Sequence, residues 1–175
     1  MTKNERIQMV NSLGILSGDQ IHQLDEMGFF TAPASTKYHG NYVGGLFDHS
    51  WAVMQSLIDM TVKMNLEWKN PASPMIVGLF HDLCKCDNYV VSMSTEDGVE
   101  FDYNNNILLK GHGEKSVMLL SNMMTLTDEE ILCIRYHMGA YNTDEWDLYD
   151  RAIRSYQNVL WTHTADMFAS KVMGV

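Results

Sequence analysis

The segment between residues 75 and 83 constrains the fold of this chain more than any other. It reads MIVGLFHDL, so a nearly continuous apolar stretch ends in an adjacent histidine and aspartate, His81 and Asp82. Pro74 lies just before it and suits the first turn of a helix. A helix that is apolar on all sides is buried in the core of a larger domain. Burying an imidazole beside a carboxylate is costly unless the two are paired or bind a metal.

Helical spacing of apolar residues recurs along the rest of the chain. We predict capping boxes at Ser17 with Gln20 and at Thr127 with Glu130, each at the start of a helix. Further helices are expected over these ranges: 5–13, a long helix from residue 46, 75–83, 113–124, 127–138 and 148–170.

One part of the chain has strand-like character. Residues 88–93 and 99–103 are short β-type runs on either side of Asp97-Gly98, a dipeptide typical of hairpin turns. The sequence therefore predicts an all-α helical bundle with a small inserted β-hairpin.

Length and charge exclude several classes of protein. The chain has 175 residues, the size of a single domain. Its 12 basic and 22 acidic side chains give a net charge of −10, which is poorly suited to binding duplex nucleic acid. There is no apolar run of about 18 residues, so we expect no membrane span. The three cysteines form no disulfide framework, and we expect a reduced, cytoplasmic protein.

Five short segments carry histidines and acids in a fixed order. They are GGLFDH at 44–49, LFHDLCK at 79–85, GHGEKS at 111–116, RYHMG at 135–139 and HTAD at 163–166. This series of His, His-Asp, His, His and Asp resembles the HD-domain superfamily of metal-dependent phosphohydrolases. The resemblance covers about residues 38–170. It implies a single HD domain over residues 1–175, a helical bundle with a metal in its core.

The resemblance also implies a set of metal ligands. The residues matching the ligands of one metal are His49, His81, Asp82 and Asp166. His112 and His137 match residues that either hold a second metal or face the substrate phosphate. Members with two metals often have a His-His pair where this chain has His137-Met138, so one ion is favoured over two. Imidazole and carboxylate ligands suit Mn, Fe, Co, Ni or Zn, and suit Mg less well.

The implied function is hydrolysis of a phosphomonoester or phosphodiester of a nucleotide or similar small anion by a metal-activated water. Asp82 would orient or deprotonate that water, and His112 and His137 would bind or protonate phosphate oxygens. Lys85, four residues after His81, would share its helix face and add positive charge if the helix continues that far. Basic residues near the site histidines are candidates for substrate binding: Lys85, Lys115 and Arg135.

Four further residues are assigned less specific roles. His39 lies in a glycine-rich loop before the first ligand, from which it could reach the substrate, although a loop histidine is more often exposed. His163 lies three residues before Asp166 on the same helix face, and we expect a structural role for it. Cys84 and Cys86 lack the two further ligands of a zinc site and are expected to be buried apolar fillers.

Two other functions are compatible with the same residues. Some proteins of this fold hold two irons and oxidise a small polyol or phosphonate, and that chemistry needs two metals. A non-catalytic module that binds a nucleotide and signals to a partner is the third alternative, although such chains tend to lose ligands. In every case we expect a small-molecule ligand and no membrane, and a homodimer is the expected assembly.

Overall fold

The structure, a computed structural model, describes residues 1–95, 98–139 and 145–175. It is mostly helical with one two-stranded antiparallel sheet, which confirms the prediction of a helical fold with a hairpin. No helix within these described ranges is long and apolar enough to cross a membrane. The elements in chain order are α1 (Lys3–Ser12), α2 (Gly18–Glu26), α3 (Gly45–Met64), α4 (Ser73–Phe80), β1 (Tyr89–Thr95), β2 (Gly98–Tyr103), α5 (Gly113–Ser121), α6 (Asp128–Arg135), α7 (Trp146–Ser155) and α8 (Asn158–Met167).

Both predicted capping boxes are present. The Ser17 hydroxyl accepts a hydrogen bond from the main-chain N–H of Gln20, whose side chain accepts one from the N–H of Ser17. Thr127 and Glu130 make the same reciprocal pair at the start of α6. These contacts are local, so the sequence pattern alone was enough to find them.

The centre of the core is the contact between α3 and α4. A Cβ atom on Gly78 would overlap the main chain of Met54, so only a glycine lets the two helices approach this closely. Buried rings of Phe29, Phe47 and Phe80 pack edge-to-face or tilted beside this contact. Helix α8 packs against α3, α4 and α6. The segments that carry His49, His81 and Asp166 therefore meet inside the core.

The hairpin lies at one side of the helical core. Strands β1 and β2 pair from Tyr89 with Tyr103 to Thr95 with Gly98, with an irregularity in register between Val91 and Met93. This confirms the predicted strands. Asp97 of the predicted turn lies outside the described residues.

The predicted helix over residues 148–170 is wrong as a single element. Helix α7 ends at Ser155 and α8 begins at Asn158, with Tyr156 extended between them at φ −142° and ψ 97°. The buried Asn158 amide donates to the main-chain oxygen of Glu67 and to the Glu129 carboxylate. These partners are distant in sequence, so hydrophobic periodicity could not reveal the break.

Other helix ends also differ from the predictions. Helix α4 stops at Phe80, and a 3₁₀ turn at Leu83–Cys86 replaces its predicted last turn. Helices α5 and α6 end about three residues before the predicted positions. After α8, a π-helical turn at Phe168–Met173 continues the helical structure.

Candidate metal centre

The first turn of α3 is anchored beside His49. Gly44 precedes the helix with φ +86°, and a Cβ there would occupy the place of the Arg6 guanidinium. Arg6 donates to both carboxylate oxygens of Asp48 at 3.2 and 3.1 Å. Because Asp48 is the neighbour of His49, this ion pair fixes the helix turn from which His49 enters the core.

The end of α4 supplies the next two side chains. His81 lies at the C-terminal end of the helix, and Asp82 leaves the helical conformation with φ −105° and ψ 21°. The following 3₁₀ turn returns Lys85 towards Asp82, and their Nζ and Oδ2 atoms are 2.6 Å apart. The predicted proximity of Lys85 to the site is therefore confirmed, although a 3₁₀ turn and not a continued helix produces it.

Four buried side chains converge through their functional atoms. His49 Nε2 lies 3.3 Å from His81 Nε2 and 3.2 Å from Asp166 Oδ1. Asp82 Oδ2 lies 3.6 Å from His49 Nε2 and 3.4 Å from His81 Nε2. We call His49, His81, Asp82 and Asp166 the four-residue centre.

The second oxygen of Asp82 faces the other two histidines. Its Oδ1 lies 3.1 Å from His112 Nε2 and 3.4 Å from His137 Nε2. Both Asp82 Oδ1 and His137 Nε2 are buried, and neither has a partner with hydrogen-bond geometry among the described residues. Unpartnered buried polar atoms are costly, so their presence here points to a bound group.

Main-chain oxygens define the protonation of three of these rings. The Nδ1–H groups donate as follows: His49 to Val175 O at 2.9 Å, His81 to Gly78 O at 2.9 Å and His137 to Ile134 O at 2.7 Å. Because a main-chain oxygen only accepts, Nδ1 must carry the proton, and in a neutral ring Nε2 then carries a lone pair. The Nε2 lone pairs therefore point at one another and at carboxylate oxygens.

Such a set of acceptors could hold a cation between its members. Ligand atoms that lie about 2.1 Å from a metal ion are separated from each other by about 3.0–3.4 Å. Most of the Nε2 and carboxylate separations above fall near that range. The buried groups could hold a metal ion in three combinations: His49, His81 and Asp166; His81, Asp82 and His137; and Asp82, Cys84 and His112.

The carboxylates of the centre are held in their charged form. Burial opposes ionisation of Asp82, but the Lys85 ammonium favours it, and the pKa of Asp82 lies well below its usual range. Burial likewise opposes ionisation of Asp166, and a hydrogen bond from His49 with the charge of His81 lowers the pKa of Asp166 when those rings carry a second proton. Two carboxylates beside one ammonium leave a net negative charge while the imidazoles are neutral, which favours a cation.

A cavity of about 330 Å³ opens onto this centre. Its lining includes Asp82, Lys85, His112, Asp166 and Met138. Side chains from the end of α8 and from the π-helical turn also contribute to it. His137 is fully buried and is not part of the cavity lining, and its Nε2 lies 3.4 Å from Asp82 Oδ1. A small anion in the cavity would therefore meet a lysine, a histidine and the carboxylates of Asp82 and Asp166 at once.

Seven predicted site residues come together around Asp82, and two do not. The buried Lys115 ammonium binds the side chains of Asp87 and Asn88 beside the hairpin. Arg135 binds Glu114 and Glu145 at the surface. Lys115 and Arg135 are already paired with acidic side chains, and neither of these two residues lines the cavity. We therefore do not include Lys115 and Arg135 among the proposed substrate contacts.

Sequence reasoning missed or misjudged three contributors. His39, expected to be exposed, lines the cavity with its ring centroid 5.0 Å from that of His49, and burial lowers the pKa of His39 to about 4. Cys84 is buried as expected, but its sulfur lies 3.2 Å from His112 Nδ1. Val175 contributes only its main-chain oxygen. The one signal that the sequence offered for His39 was its position ten residues before His49. The contact of the Val175 main-chain oxygen leaves no signal in the sequence, because every residue has such an oxygen.

His163 supports the site from outside the four-residue centre. Its Nδ1–H donates to the main-chain oxygen of His137 at 2.7 Å, and a Cβ on Gly139 would collide with its ring. This contact supports the predicted structural role, although the ring also lines the cavity.

Comparisons with family models, with curated proteins and with solved structures found no match to this chain. The resemblance to HD-domain proteins therefore depends on the five segments quoted above. The functional argument depends on the geometry of the residues themselves.

Proposed function

We propose that this chain is a metal-dependent phosphohydrolase of the HD-domain type, which cleaves a phosphate ester of a nucleotide or similar small anion. One observation carries the proposal: the Nε2 atoms of three buried histidines, His49, His81 and His137, lie against the carboxylates of Asp82 and Asp166 while their Nδ1–H groups donate elsewhere. A cavity and a lysine lie beside them. Structural polar groups in a core are paired donor to acceptor. Here acceptors face acceptors, as they do when a metal is the intended partner.

The four-residue centre would hold the metal. His49 and His81 supply neutral imidazoles, and Asp82 and Asp166 supply carboxylates, a donor set that suits Mn, Fe, Co, Ni or Zn. A divalent ion bound there polarises a phosphoryl oxygen and activates a water as the nucleophile. The main-chain contacts of the Nδ1 atoms keep the ligand atoms of both rings turned towards the centre.

The side chains at the cavity have separate roles in this proposal. Lys85 remains charged, since contact with Asp82 outweighs burial and raises the pKa of Lys85 above its ordinary value. Its ammonium would stabilise negative charge on the transferred phosphoryl group. His112 is partly exposed at the cavity, and its imidazole can give a proton to the leaving oxygen.

The size and charge of the cavity favour a small substrate. A volume of about 330 Å³ is at the lower end of the range for small-molecule sites. The net charge of −10 disfavours a long polyanion, whereas a single phosphate can still bind a local pair of cations. Lys171 also lines the cavity and supplies a second cation there.

One observation favours a second candidate function, the di-iron oxygenase. Asp82 Oδ1 faces His112 and His137 in the way that a carboxylate bridging two ions would. Met138 occupies the place of a further ligand, which still favours one ion. The number of metal ions bound per chain, together with oxygen uptake, separates this candidate from the hydrolase.

The test is turnover by protein stripped with a chelator and reloaded with Mn, Fe, Co, Ni, Zn or Mg. Substrates are a chromogenic monoester, a chromogenic diester, nucleoside monophosphates and cyclic nucleotides. Asp82→Ala is assayed beside Asp59→Asn, an exposed carboxylate on the same helix as His49. We expect metal-dependent turnover that falls about 10³-fold in Asp82→Ala and is unchanged in Asp59→Asn.

A negative result is equally informative. Absence of turnover in protein shown to carry a metal would contradict hydrolysis. Oxygen uptake by the iron-loaded protein would then support the oxygenase. Nucleotide binding without either reaction would support the signalling module.

A further inference from the structure

The chain reverses direction after the π-helical turn that follows α8. Gly174 has φ +76°, a left-handed conformation that glycine adopts without strain. The main-chain N–H groups of Gly174 and Val175 both donate to the main-chain oxygen of Ala169. These contacts fix the position of Val175.

The main-chain oxygen of Val175 reaches a residue of the four-residue centre. His49 Nδ1–H donates to the main-chain oxygen of Val175 at 2.9 Å, across 126 positions of sequence. His49 is 1% exposed, so its ring is almost entirely surrounded by protein. The orientation of the ring therefore depends on where the end of the π-helical turn lies.

The other two buried histidines have local partners. His81 and His137 each donate to the main-chain oxygen three residues earlier, at Gly78 and Ile134. A contact across three residues forms whenever that turn of the chain forms. The contact of His49 forms only in the complete tertiary structure.

We propose that Gly174 and the main-chain oxygen of Val175 are positioning residues for His49, holding its ring as the Nδ1–H tautomer so that Nε2 faces the metal. The proposal rests on the metal binding within the proposed function and is independent of the reaction catalysed. Partners of this kind behind a ligand histidine typically change metal affinity by about 10–100-fold.

Gly174 offers a way to move the Val175 oxygen without adding a clash. No atom lies within 4 Å of a Cβ built on Gly174, so a substitution there meets open space. The φ angle is then the main constraint. A β-branched residue is a clear outlier at such an angle, whereas asparagine adopts it several times more readily than most residues. Gly174→Val and Gly174→Asn are therefore matched in size and in their N–H group but differ in backbone tolerance.

The experiment measures the ring-nitrogen chemical shifts of the histidines by NMR in metal-free protein, together with Co²⁺ affinity by chelator competition. The variants are Gly174→Val, Gly174→Asn and Val175→Ala, the last of which keeps the main-chain oxygen. In Gly174→Val we expect His49 to become a mixture of tautomers and Co²⁺ affinity to fall about 10-fold. Gly174→Asn and Val175→Ala should stay close to the parent protein, and His81 should keep its shifts in every variant.

Two results would overturn the inference. One is an unchanged His49 tautomer and affinity in Gly174→Val, and the other is an equal loss of affinity in Val175→Ala. If Gly174→Val does not fold, Gly174→Ala introduces a milder form of the same strain and should show an intermediate change. If the parent protein has the His49 tautomer but binds no metal, the proposed function fails while the positioning contact stands.

Discussion

Among the described residues, two pairs of carboxylates are buried, and their surroundings are opposite. One pair, Asp82 and Asp166, belongs to the four-residue centre. The other pair, Glu129 and Glu130, lies in α6, and each residue is at most 3% exposed. We call the second pair the α6 acids.

Hydrogen-bond donors surround the α6 acids. Glu129 accepts from the main-chain N–H of Lys69 and from the Asn158 amide, both at 2.9 Å. Glu130 accepts from the Ser73 hydroxyl at 2.8 Å and from the N–H and hydroxyl of Thr127 at 2.7 and 3.0 Å. These carboxylates join the loop before α4 and the start of α8 to α6, so they stabilise the fold.

The four-residue centre has the reverse arrangement. Apart from Lys85, the nearest polar atoms to Asp82 and Asp166 are imidazole nitrogens, and the Nδ1 protons of His49, His81 and His137 point to main-chain oxygens. Burial alone therefore does not distinguish a structural carboxylate from a functional one. The number of donors around it does, because an unmatched buried acceptor is costly unless a cation or ligand arrives.

The largest expected effect is on metal binding. We expect Asp166→Asn to weaken Co²⁺ binding at least about 100-fold, since it removes a charged ligand. Glu130→Gln, the same chemical change among the α6 acids, should leave the affinity unaltered. Chelator competition measures both, and similar losses in the two variants would break the comparison.

The second expected effect is on the free energy of unfolding, which Glu130→Gln should lower more than Asp166→Asn does. Glu130→Gln places an amide donor against donors and should lower the free energy of unfolding by about 2 kcal/mol. Asp166→Asn should change it by less than about 0.5 kcal/mol in metal-free protein, because the new amide can donate to His49 Nε2. Urea unfolding of both variants without metal is the measurement. A larger loss in Asp166→Asn would mean that its carboxylate is already satisfied.

The third effect is on the pH dependence of metal binding. Lys85 lowers the pKa of Asp82, so Lys85→Met should raise that pKa and let protons compete with the metal at higher pH. The pH at which half the Co²⁺ is bound should therefore move upward. The Asp59→Asn variant is the control. An unmoved midpoint would show that Lys85 does not set the charge of Asp82.

The smallest expected effect is on KM, and it distinguishes Lys171, which lines the cavity, from Lys115, which is paired with Asp87. Lys171 is exposed and lines the cavity, and Lys171→Met should raise KM about 5-fold with little change in kcat, since exposed charge pairs contribute up to about 1 kcal/mol. Lys115 is buried against Asp87, so Lys115→Met should lower thermal stability and leave KM unchanged. Steady-state kinetics with the best substrate of the panel would test this contrast, and a raised KM in Lys115→Met alone would reverse it.

Much of the local structure could be predicted from the sequence. The capping boxes at Ser17 and Thr127 and the hairpin on either side of Asp97-Gly98 depend on neighbours in the chain, and their elements form as expected. The apolar segment that ends in His81 and Asp82 was correctly predicted to be buried. Its last turn was not, because the 3₁₀ turn at Leu83–Cys86 is stabilised by Ser116, whose hydroxyl accepts from the N–H of Cys84.

The sequence by itself determined which residue types were available for a metal centre and which helices carry them. Periodicity, caps and the order of histidines and acids are all local properties of the chain. Only the tertiary structure decided which of these residues lack donors. It paired Lys115 with Asp87, surrounded Glu129 with hydrogen-bond donors, and directed the His49 proton to Val175. The physical reason is that each of these contacts joins residues far apart in sequence, and their free energy is gained only once the helices have packed.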